Sequence, residues 1–237
     1  MRPPGRTNAS ARTHRDPYDK GMDVATVETP DHYAPPDALM RAGADFPVPD
    51  TLLVPHFVAA DSAASLLDAA LADFDWQQER FVMFGRWATA PRLSVCFGEP
   101  GAAYRYSGVE RLAQPWPDAV QSLAKQVSSA LQWRTNFVLV NRYRSGRDHL
   151  GWHSDDERDM GPAPVVATVS IGVPRTFRMA ARRKGSPNHD VVLESGSLFL
   201  MWGRSQRHYR HCVPRRLREA GERVSFSFRC TANVGTA

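Results

Sequence analysis

The chain has 237 residues, of which 42% are apolar, so it can bury a sizeable core and is not wholly disordered. Its 30 basic and 25 acidic residues give a net charge of +5, and nearly all of the basic residues are arginine. This excess favours a partner that carries phosphate or carboxylate groups, although a GC-rich genome would produce the same bias. No apolar run reaches the roughly 18 residues of a membrane span, so we expect no membrane partner. Three widely spaced cysteines form neither a disulfide framework nor a CxxC zinc motif, which fits an intracellular protein.

The N-terminal part of the chain differs in composition from the rest. Residues 1–48 are rich in proline and poor in aliphatic residues, which predicts a disordered tail. We therefore place the folded domain at 49–237. Its first elements are a short strand at 51–58 and two amphipathic helices at 61–76 and 118–133, each with apolar residues at helical spacing.

The remaining segments predict mainly β-structure. The segment 80–108 is rich in aromatic residues and arginine, and its glycines and prolines predict hairpins and loops. Short strands are predicted at 137–143, 165–171, 175–181, 190–194, 197–202, 206–213 and 223–230. Helices followed by many short antiparallel strands indicate an α+β fold with a jelly-roll-like core.

A candidate metal site begins at the sequence HSDDE. His153 and Asp155 are two residues apart, so on a strand both side chains would point to one face. Two histidines and one carboxylate with open coordination positions are typical of non-haem iron(II) oxygenases. The third ligand must come from elsewhere, and the downstream candidates are His189, His208 and His211. The alternative to a metal site is an ordinary surface turn rich in aspartate.

The C-terminal strand RVSFSFR carries a second candidate site. Arg223, Ser225, Ser227 and Arg229 alternate along it and share one face. The other face is apolar and is expected to pack in the core through Val224, Phe226, Phe228 and Cys230. Two arginines on an inward face would need an anion, and a dicarboxylate would accept charge-assisted hydrogen bonds from both. The alternative is an exposed polar face.

A third piece is the strand FVLVNRY. Asn141 and Tyr143 lie on one face of it, where an amide and a phenol could complete a polar pocket. The run from Asn141 to Asp155 has the pattern N-x-Y-x-x-G-x-D-x-x-x-x-H-x-D. This run resembles the AlkB family of iron(II)- and 2-oxoglutarate-dependent dioxygenases, as do the segments 166–172 and 195–215 and the ending RVSFSFR. The resemblance covers about residues 80–230. It implies a double-stranded β-helix core with N-terminal helices and a nucleotide-recognition lid.

The resemblance also implies roles for individual residues. The iron(II) ligands would be His153, Asp155 and His211, and O₂ would take the remaining site. The cosubstrate 2-oxoglutarate would bind through Arg223, Asn141, Tyr143 and Ser225 at its distal carboxylate and through Arg229 at the metal side. Ser225 departs from the family, which commonly has asparagine there, and we expect at most weaker cosubstrate binding.

On the substrate side, the segment 81–108 resembles members that repair DNA. Tyr104 and Tyr106 would flank a flipped base, with Phe84 as an apolar finger that fills the vacated stack. Glu157 would lie near the base. Arg86 and Arg92, which flank the finger, would be the leading phosphate contacts among several arginines of this region. The alternative is that these aromatic residues are ordinary core residues of a hairpin.

Taken with the resemblance, these features predict a DNA-repair dioxygenase. It would demethylate 1-methyladenine and 3-methylcytosine in single- or double-stranded DNA, and release formaldehyde and succinate. Alternatives are an RNA or other-substrate demethylase of the same family, and a non-catalytic nucleic-acid-binding metal protein. We expect a monomer, cytoplasmic and nucleoid-associated in a bacterium or nuclear in a eukaryote.

Overall fold

The computed structural model describes most of the chain from Tyr33 onward. The described residues are 33–45, 48–83, 85–106, 109–157, 160–161, 163–183 and 185–231. They contain the helices α1 (Asp37–Ala42), α2 (Ala60–Asp73), α3 (Asp118–Leu131) and α4 (Ser205–His208). No helix among them is both long enough and apolar enough to cross a membrane.

Strands make up most of the domain. The first eight are β1 (Ala44–Asp45), β2 (Thr51–Val54), β3 (Arg80–Met83), β4 (Arg86–Thr89), β5 (Leu93–Gly98), β6 (Ala103–Tyr106), β7 (Val109–Leu112) and β8 (Phe137–Tyr143). The others are β9 (Leu150–His153), β10 (Val166–Gly172), β11 (Arg175–Ala181), β12 (Asn188–Leu193), β13 (Ser197–Met201), β14 (Tyr209–Val213) and β15 (Arg223–Arg229).

Two antiparallel sheets form the body of the fold. One has seven strands in the order β1-β2-β13-β10-β15-β8-β5, and the other has four in the order β12-β11-β14-β9. Neighbouring strands are often distant in sequence, as in the pairing of β8 with β15. This arrangement of few helices and two antiparallel sheets is a jelly roll, and it confirms the predicted fold class.

The two faces of the seven-stranded sheet pack against different partners. Helices α2 and α3 cover the outer face, where Val127 and Leu131 of α3 join the same core cluster as Phe226 and Phe228 of β15. The helix forms there because its apolar residues recur every three or four positions. The inner face of the sheet carries the polar residues of β15 toward the four-stranded sheet. All seven residues of β15 are buried, so its polar face lies inside the protein.

Two separate hairpins flank the sheets. β3 pairs with β4, and β6 pairs with β7, each antiparallel. β3, β4 and β6 lie in the segment 80–108, in which hairpins were predicted, and β7 follows directly after it. Backbone pairing of Gln77 with Ser94 and of Gln114 with Phe97 joins both hairpins to β5 of the large sheet. The hairpins are therefore attached to the same edge of the large sheet.

Helix α1 and strand β1 lie before residue 49, where the sequence places the start of the folded domain. Helix α1 packs Leu39 into the core, at 6% exposure, and β1 pairs with β2 at the edge of the large sheet. The six-residue helix α1 is held in place because it packs against strand β2 of the large sheet. The ordered domain thus includes residues before 49, while residues 1–32 of the expected tail lie outside the described part.

Local details also differ from the sequence-based expectation. Residues 206–208 belong to helix α4 and not to a strand, and His208 is exposed there. His189 lies on β12, which begins two residues before the predicted strand at 190–194. The strand β9 ends at His153, so Asp155 belongs to the segment that follows it.

Candidate active site

Three side chains that can bind a metal meet between the two sheets. β9 pairs with β14, and His153 stands directly opposite His211. The Nε2 atoms of these histidines lie 3.8 and 3.9 Å from the carboxylate oxygens of Asp155. One ligand atom from each residue lies within 4.8 Å of the other two, a separation that a single metal ion can bridge. Neither His189 nor His208 belongs to this group.

The orientation of both imidazoles is set by their surroundings. The Nδ1 atom of His153 is 2.9 Å from the carbonyl oxygen of Gly151. A proton on Nδ1 would be donated to that carbonyl and would leave the Nε2 lone pair facing Asp155. The ring of His211 stacks on Phe177, with centroids 5.0 Å apart and planes at 26°. The metal-binding nitrogens are therefore directed before any ligand arrives.

The protonation states of the three groups suit a metal. Burial by itself would raise the pKa of the Asp155 carboxyl, but the charge of Arg229 and the two histidines lower it to about 2. Burial lowers the pKa of His211 to about 3 and lowers that of His153 as well. At neutral pH the carboxylate is ionised and both imidazoles are neutral, which are the forms that coordinate metals.

Arg229 connects the metal-binding group to strand β15. It donates from Nη2 to Oδ2 of Asp155 at 3.1 Å and from Nη1 to the carbonyl oxygen of Ser227 at 3.0 Å. Its guanidinium also lies over the ring of Tyr104, 4.9 Å from the centroid. The buried guanidinium of Arg229 therefore fixes the position of the Asp155 carboxylate, which would bind a metal.

Arg223, six residues earlier on the same face, is a buried cation that lacks a carboxylate partner among the described residues. It is 1% exposed, donates from Nη2 to Oγ of Ser170 at 2.8 Å, and lies over the ring of Tyr143 at 5.1 Å. Its Nε and Nη1 have no hydrogen-bond partner within the described part of the chain. Two unsatisfied donors on a buried guanidinium are costly unless an anion binds them. A carboxylate is the ligand that fits this fork.

Asn141 and Ser225 complete this end of the pocket. They face each other across the β8–β15 pair, and both are buried and line the cavity. The Asn141 oxygen accepts a hydrogen bond of 2.7 Å from Nε of Arg92. Arg92 is only 6% exposed, so its predicted role as a phosphate contact is wrong. Its side chain instead lines the pocket, where the hydrogen bond to Asn141 holds it.

Comparison with known proteins agrees with this geometry. Residues 50–229 match the model of the 2OG-Fe(II) oxygenase superfamily. The Homo sapiens protein named DNA oxidative demethylase ALKBH2 is 34% identical over 177 residues, which are 72% of this chain and 68% of that protein. The Homo sapiens alpha-ketoglutarate-dependent dioxygenase alkB homolog 3 is 30% identical over 186 residues, 75% of this chain and 64% of that protein. The chain belongs to the AlkB family of 2OG-Fe(II) oxygenases.

A solved structure supports the fold of this AlkB-family member. The structure titled "The structure of OsALKBH1" aligns with a TM-score of 0.56 at 19% identity, and the alignment covers 78% of this chain and all of that one. Family membership confirms the resemblance first seen in the motifs and implies iron(II), 2-oxoglutarate and O₂. The residues present fit these groups. Two neutral histidines and a carboxylate can hold iron(II), and the unsatisfied donors of Arg223 can hold a distal carboxylate.

The substrate-side residues predicted from sequence have mixed outcomes. Tyr104 is 1% exposed and lines the pocket, so it belongs to the cavity wall. Arg86 is exposed on β4, as a phosphate contact would require. Glu157 is half-buried, and burial together with the nearby Asp155 charge raises its pKa to about 7. Phe84 and the side chain of Tyr106 lie outside the described part, so their roles stay predictions.

Sequence reasoning missed several residues of the site. Glu79, just before β3, and Arg111, on β7, form a bidentate ion pair at the wall of the pocket. Arg111 stands directly across the hairpin from Tyr104, a register that a hairpin prediction could have indicated. Gln206 of α4 is 1% exposed and accepts a 3.0 Å hydrogen bond from the backbone N–H of Asp155. Nothing in its local sequence indicates this contact.

Proposed function

We propose that this AlkB-family oxygenase is an oxidative demethylase of alkylated DNA. The observation that carries the proposal is the buried His153, Asp155 and His211 group beside the unsatisfied donors of Arg223. It occurs in a chain that is 34% identical to a protein named as a DNA oxidative demethylase. The substrates we propose are 1-methyladenine and 3-methylcytosine, with formaldehyde and succinate as products.

Residues of both sheets would share the chemical work. His153, Asp155 and His211 would hold iron(II), which together with 2-oxoglutarate and O₂ supplies the oxidation of an N-methyl group to a labile hydroxymethyl group. Arg229 keeps Asp155 ionised and fixed in place. Arg223, with Tyr143, Asn141 and Ser225 around it, would bind the distal carboxylate of 2-oxoglutarate. These are the residues that the sequence predicts at the distal carboxylate, with Arg92 added behind Asn141. The predicted contact of Arg229 with the metal-side carboxylate of 2-oxoglutarate stays a proposal.

The hairpins would present the damaged base. Tyr104 of β6 lines the pocket together with the metal-binding residues, and Tyr104 and Tyr106 are proposed to flank the flipped base. Phe84 is proposed to fill the gap that the base leaves in a duplex, and Arg86 to contact a phosphate. Glu157 lies beside Tyr104 and close to Asp155. It is proposed to favour a base that carries an added positive charge, because a carboxylate attracts it.

We further propose that the protein acts as a monomer where DNA is held, in the bacterial cytoplasm or the eukaryotic nucleus. The test of the main proposal is release of formaldehyde and succinate from oligonucleotides with one 3-methylcytosine. Single-stranded DNA, duplex DNA and an RNA of the same sequence are compared. Turnover that requires iron(II) and 2-oxoglutarate, and is faster on DNA, is the expected result. Turnover on RNA alone would favour the alternative substrate.

The matched variant is His211→Ala. It removes one of three metal ligands, so turnover should be lost, while affinity for the oligonucleotide should stay within about threefold because the hairpins are unchanged. His208→Ala is the control, since that histidine is exposed and outside the metal-binding group. A His211→Ala protein that turns over like the wild type would overturn the ligand assignment.

A further inference from the structure

Arg175, at the start of β11, is a buried cation beside the end of the pocket that Tyr143 and Arg223 line. It is 1% exposed. Its guanidinium donates to three backbone carbonyl oxygens, those of Ser145 at 3.2 Å, Asp148 at 2.8 Å and Pro214 at 3.0 Å. The first two belong to the loop between β8 and β9, and the third lies just after β14. The Arg175 side chain, from the four-stranded sheet, thus connects the loop between β8 and β9 with the segment after β14.

The same guanidinium lies over the ring of Tyr143. Its central carbon is 5.4 Å from the ring centroid, while that of Arg223 is 5.1 Å from it. A cation over the face of an aromatic ring is attracted to it, and the attraction increases when both are removed from water. Tyr143, which is 1% exposed, is therefore held by two guanidiniums at once.

The arrangement also concentrates positive charge. Arg175 and Arg223 repel each other, and Nε and Nη1 of Arg223 have no hydrogen-bond partner among the described residues. Without the three carbonyls, Arg175 could move away from Arg223. The carbonyls hold it in place, so the charge near Arg223 is fixed in the free protein and is available to an incoming anion.

We propose that Arg175 is a positioning residue for 2-oxoglutarate: it fixes the Tyr143 ring and the neighbouring charge so that Arg223 is ready to bind the distal carboxylate. This inference rests on the proposed assignment of that carboxylate to Arg223. The metal-binding group should not depend on Arg175, because the pairing of β9 with β14 holds both histidines.

The test is calorimetric binding to the full chain loaded with Mn²⁺, which needs no turnover. Two probes are compared: 2-oxoglutarate and 2-oxovalerate, which has the same chain length but lacks the distal carboxylate. In Arg175→Met the contacts to the three carbonyls and to the Tyr143 ring are lost, so the charge beside Arg223 is no longer present. The Kd for 2-oxoglutarate should therefore rise about tenfold, and the Kd for 2-oxovalerate should change less than about threefold. Mn²⁺ should bind with unchanged stoichiometry. Equal weakening of both probes, or of neither, would overturn the proposal.

Two further variants sharpen the test. Arg175→Lys keeps the charge, but its three donors share one nitrogen and cannot reproduce the planar fork that reaches carbonyls of two segments, so it should also weaken 2-oxoglutarate binding by at least about fivefold. If Arg175→Lys binds like the wild type, charge alone is sufficient and the positioning role is wrong. This variant also carries the test if Arg175→Met does not fold. The matched control is Arg178→Met, three residues along the same strand, whose guanidinium pairs with Asp190 on the outer surface. It should change neither Kd.

Failure of the underlying assignment would look different. Arg223→Met should weaken 2-oxoglutarate binding more than Arg175→Met does. If Arg223→Met leaves the Kd unchanged, the distal carboxylate binds elsewhere, and the assignment under the proposed function is wrong. If Arg223→Met weakens binding while Arg175→Met does not, only the role of Arg175 is refuted.

Discussion

The ion pair between Glu79 and Arg111 is expected to hold the two hairpins together at the mouth of the site. Glu79 precedes the β3–β4 hairpin, and Arg111 lies on the β6–β7 hairpin opposite Tyr104. Both Nε and Nη2 of Arg111 donate to the Glu79 carboxylate, and the Nη2 to Oε2 distance is 2.7 Å. The side chain of Arg111 is 10% exposed and that of Glu79 is 19% exposed. The pair is therefore mostly buried, and its loss would take away the carboxylate that Glu79 supplies to Arg111.

The perturbation is Glu79→Gln, which removes the charge with almost no change in volume. Exposed pairs contribute about 0–1 kcal/mol, and breaking a buried pair costs about 3–5 kcal/mol. The intermediate burial of this pair therefore predicts a loss of about 2 kcal/mol in the free energy of unfolding. Because the hairpins would also move apart, KM for a methylated oligonucleotide should rise while binding of 2-oxoglutarate stays unchanged.

The pH dependence follows from the direction of the pKa shift. Burial by itself would raise the pKa of Glu79, but the hydrogen bond and charge of Arg111 and the charge of Arg92 lower it below its usual value. A carboxyl whose pKa is lower in the folded state stabilises the fold above its unfolded pKa of about 4.3, and this is lost as pH falls through the folded pKa. The difference in the free energy of unfolding between the wild type and Glu79→Gln should therefore have its full size at neutral pH and should become smaller below about pH 4.

The assay is urea unfolding followed by tryptophan fluorescence, with Glu79→Gln, Arg111→Met and the double variant. The effects of the single variants should not add, and the coupling should be about 1–2 kcal/mol. The control is Glu99→Gln, whose pair with Arg134 is exposed, and which should cost less than about 0.5 kcal/mol. A Glu79→Gln protein within about 0.5 kcal/mol of the wild type, or strictly additive effects, would refute the reasoning.

Three other perturbations test the finger, the loop before the metal ligands and the core. Phe84→Ala should reduce repair of duplex DNA more than repair of single strands, since only a duplex has a stack to fill; equal losses would contradict this. Gly146→Ala should destabilise the protein by about 1–3 kcal/mol in thermal unfolding, because an ideal Cβ there lies 1.7 Å from a backbone oxygen, whereas Gly151→Ala has open space and should be nearly neutral. Phe226→Ala should cost about 3–5 kcal/mol in urea unfolding, and Leu217→Ala, at 73% exposure, close to none.

The residues that sequence reasoning found are those whose pattern is local. Alternation along 223–229 separates the polar face from the apolar face because successive side chains on a strand point in opposite directions, and both faces are buried as this requires. The short spacing from His153 to Asp155 likewise indicated two ligands before any fold was considered. The family motif then selected His211 from three candidate histidines.

The residues that were missed act through contacts between distant segments. Arg92 resembles any arginine of an exposed hairpin region until β5 pairs with β8 and brings it to Asn141. Glu79 and Arg111 are 32 positions apart, and they meet because two hairpins attach to one sheet edge. Helix α1 was taken for part of a tail because six residues have too few apolar positions to predict burial.

The sequence by itself determined the family, the jelly-roll fold class, the types of the candidate metal-binding residues and the two faces of β15. These depend on motifs and on side-chain periodicity, which are properties of short segments. Tertiary structure alone decided that Arg223 is left with unsatisfied donors, that Arg175 holds Tyr143 from the opposite sheet, and that an ion pair joins the hairpins. The physical reason is that burial and electrostatic pairing depend on which distant strands become neighbours.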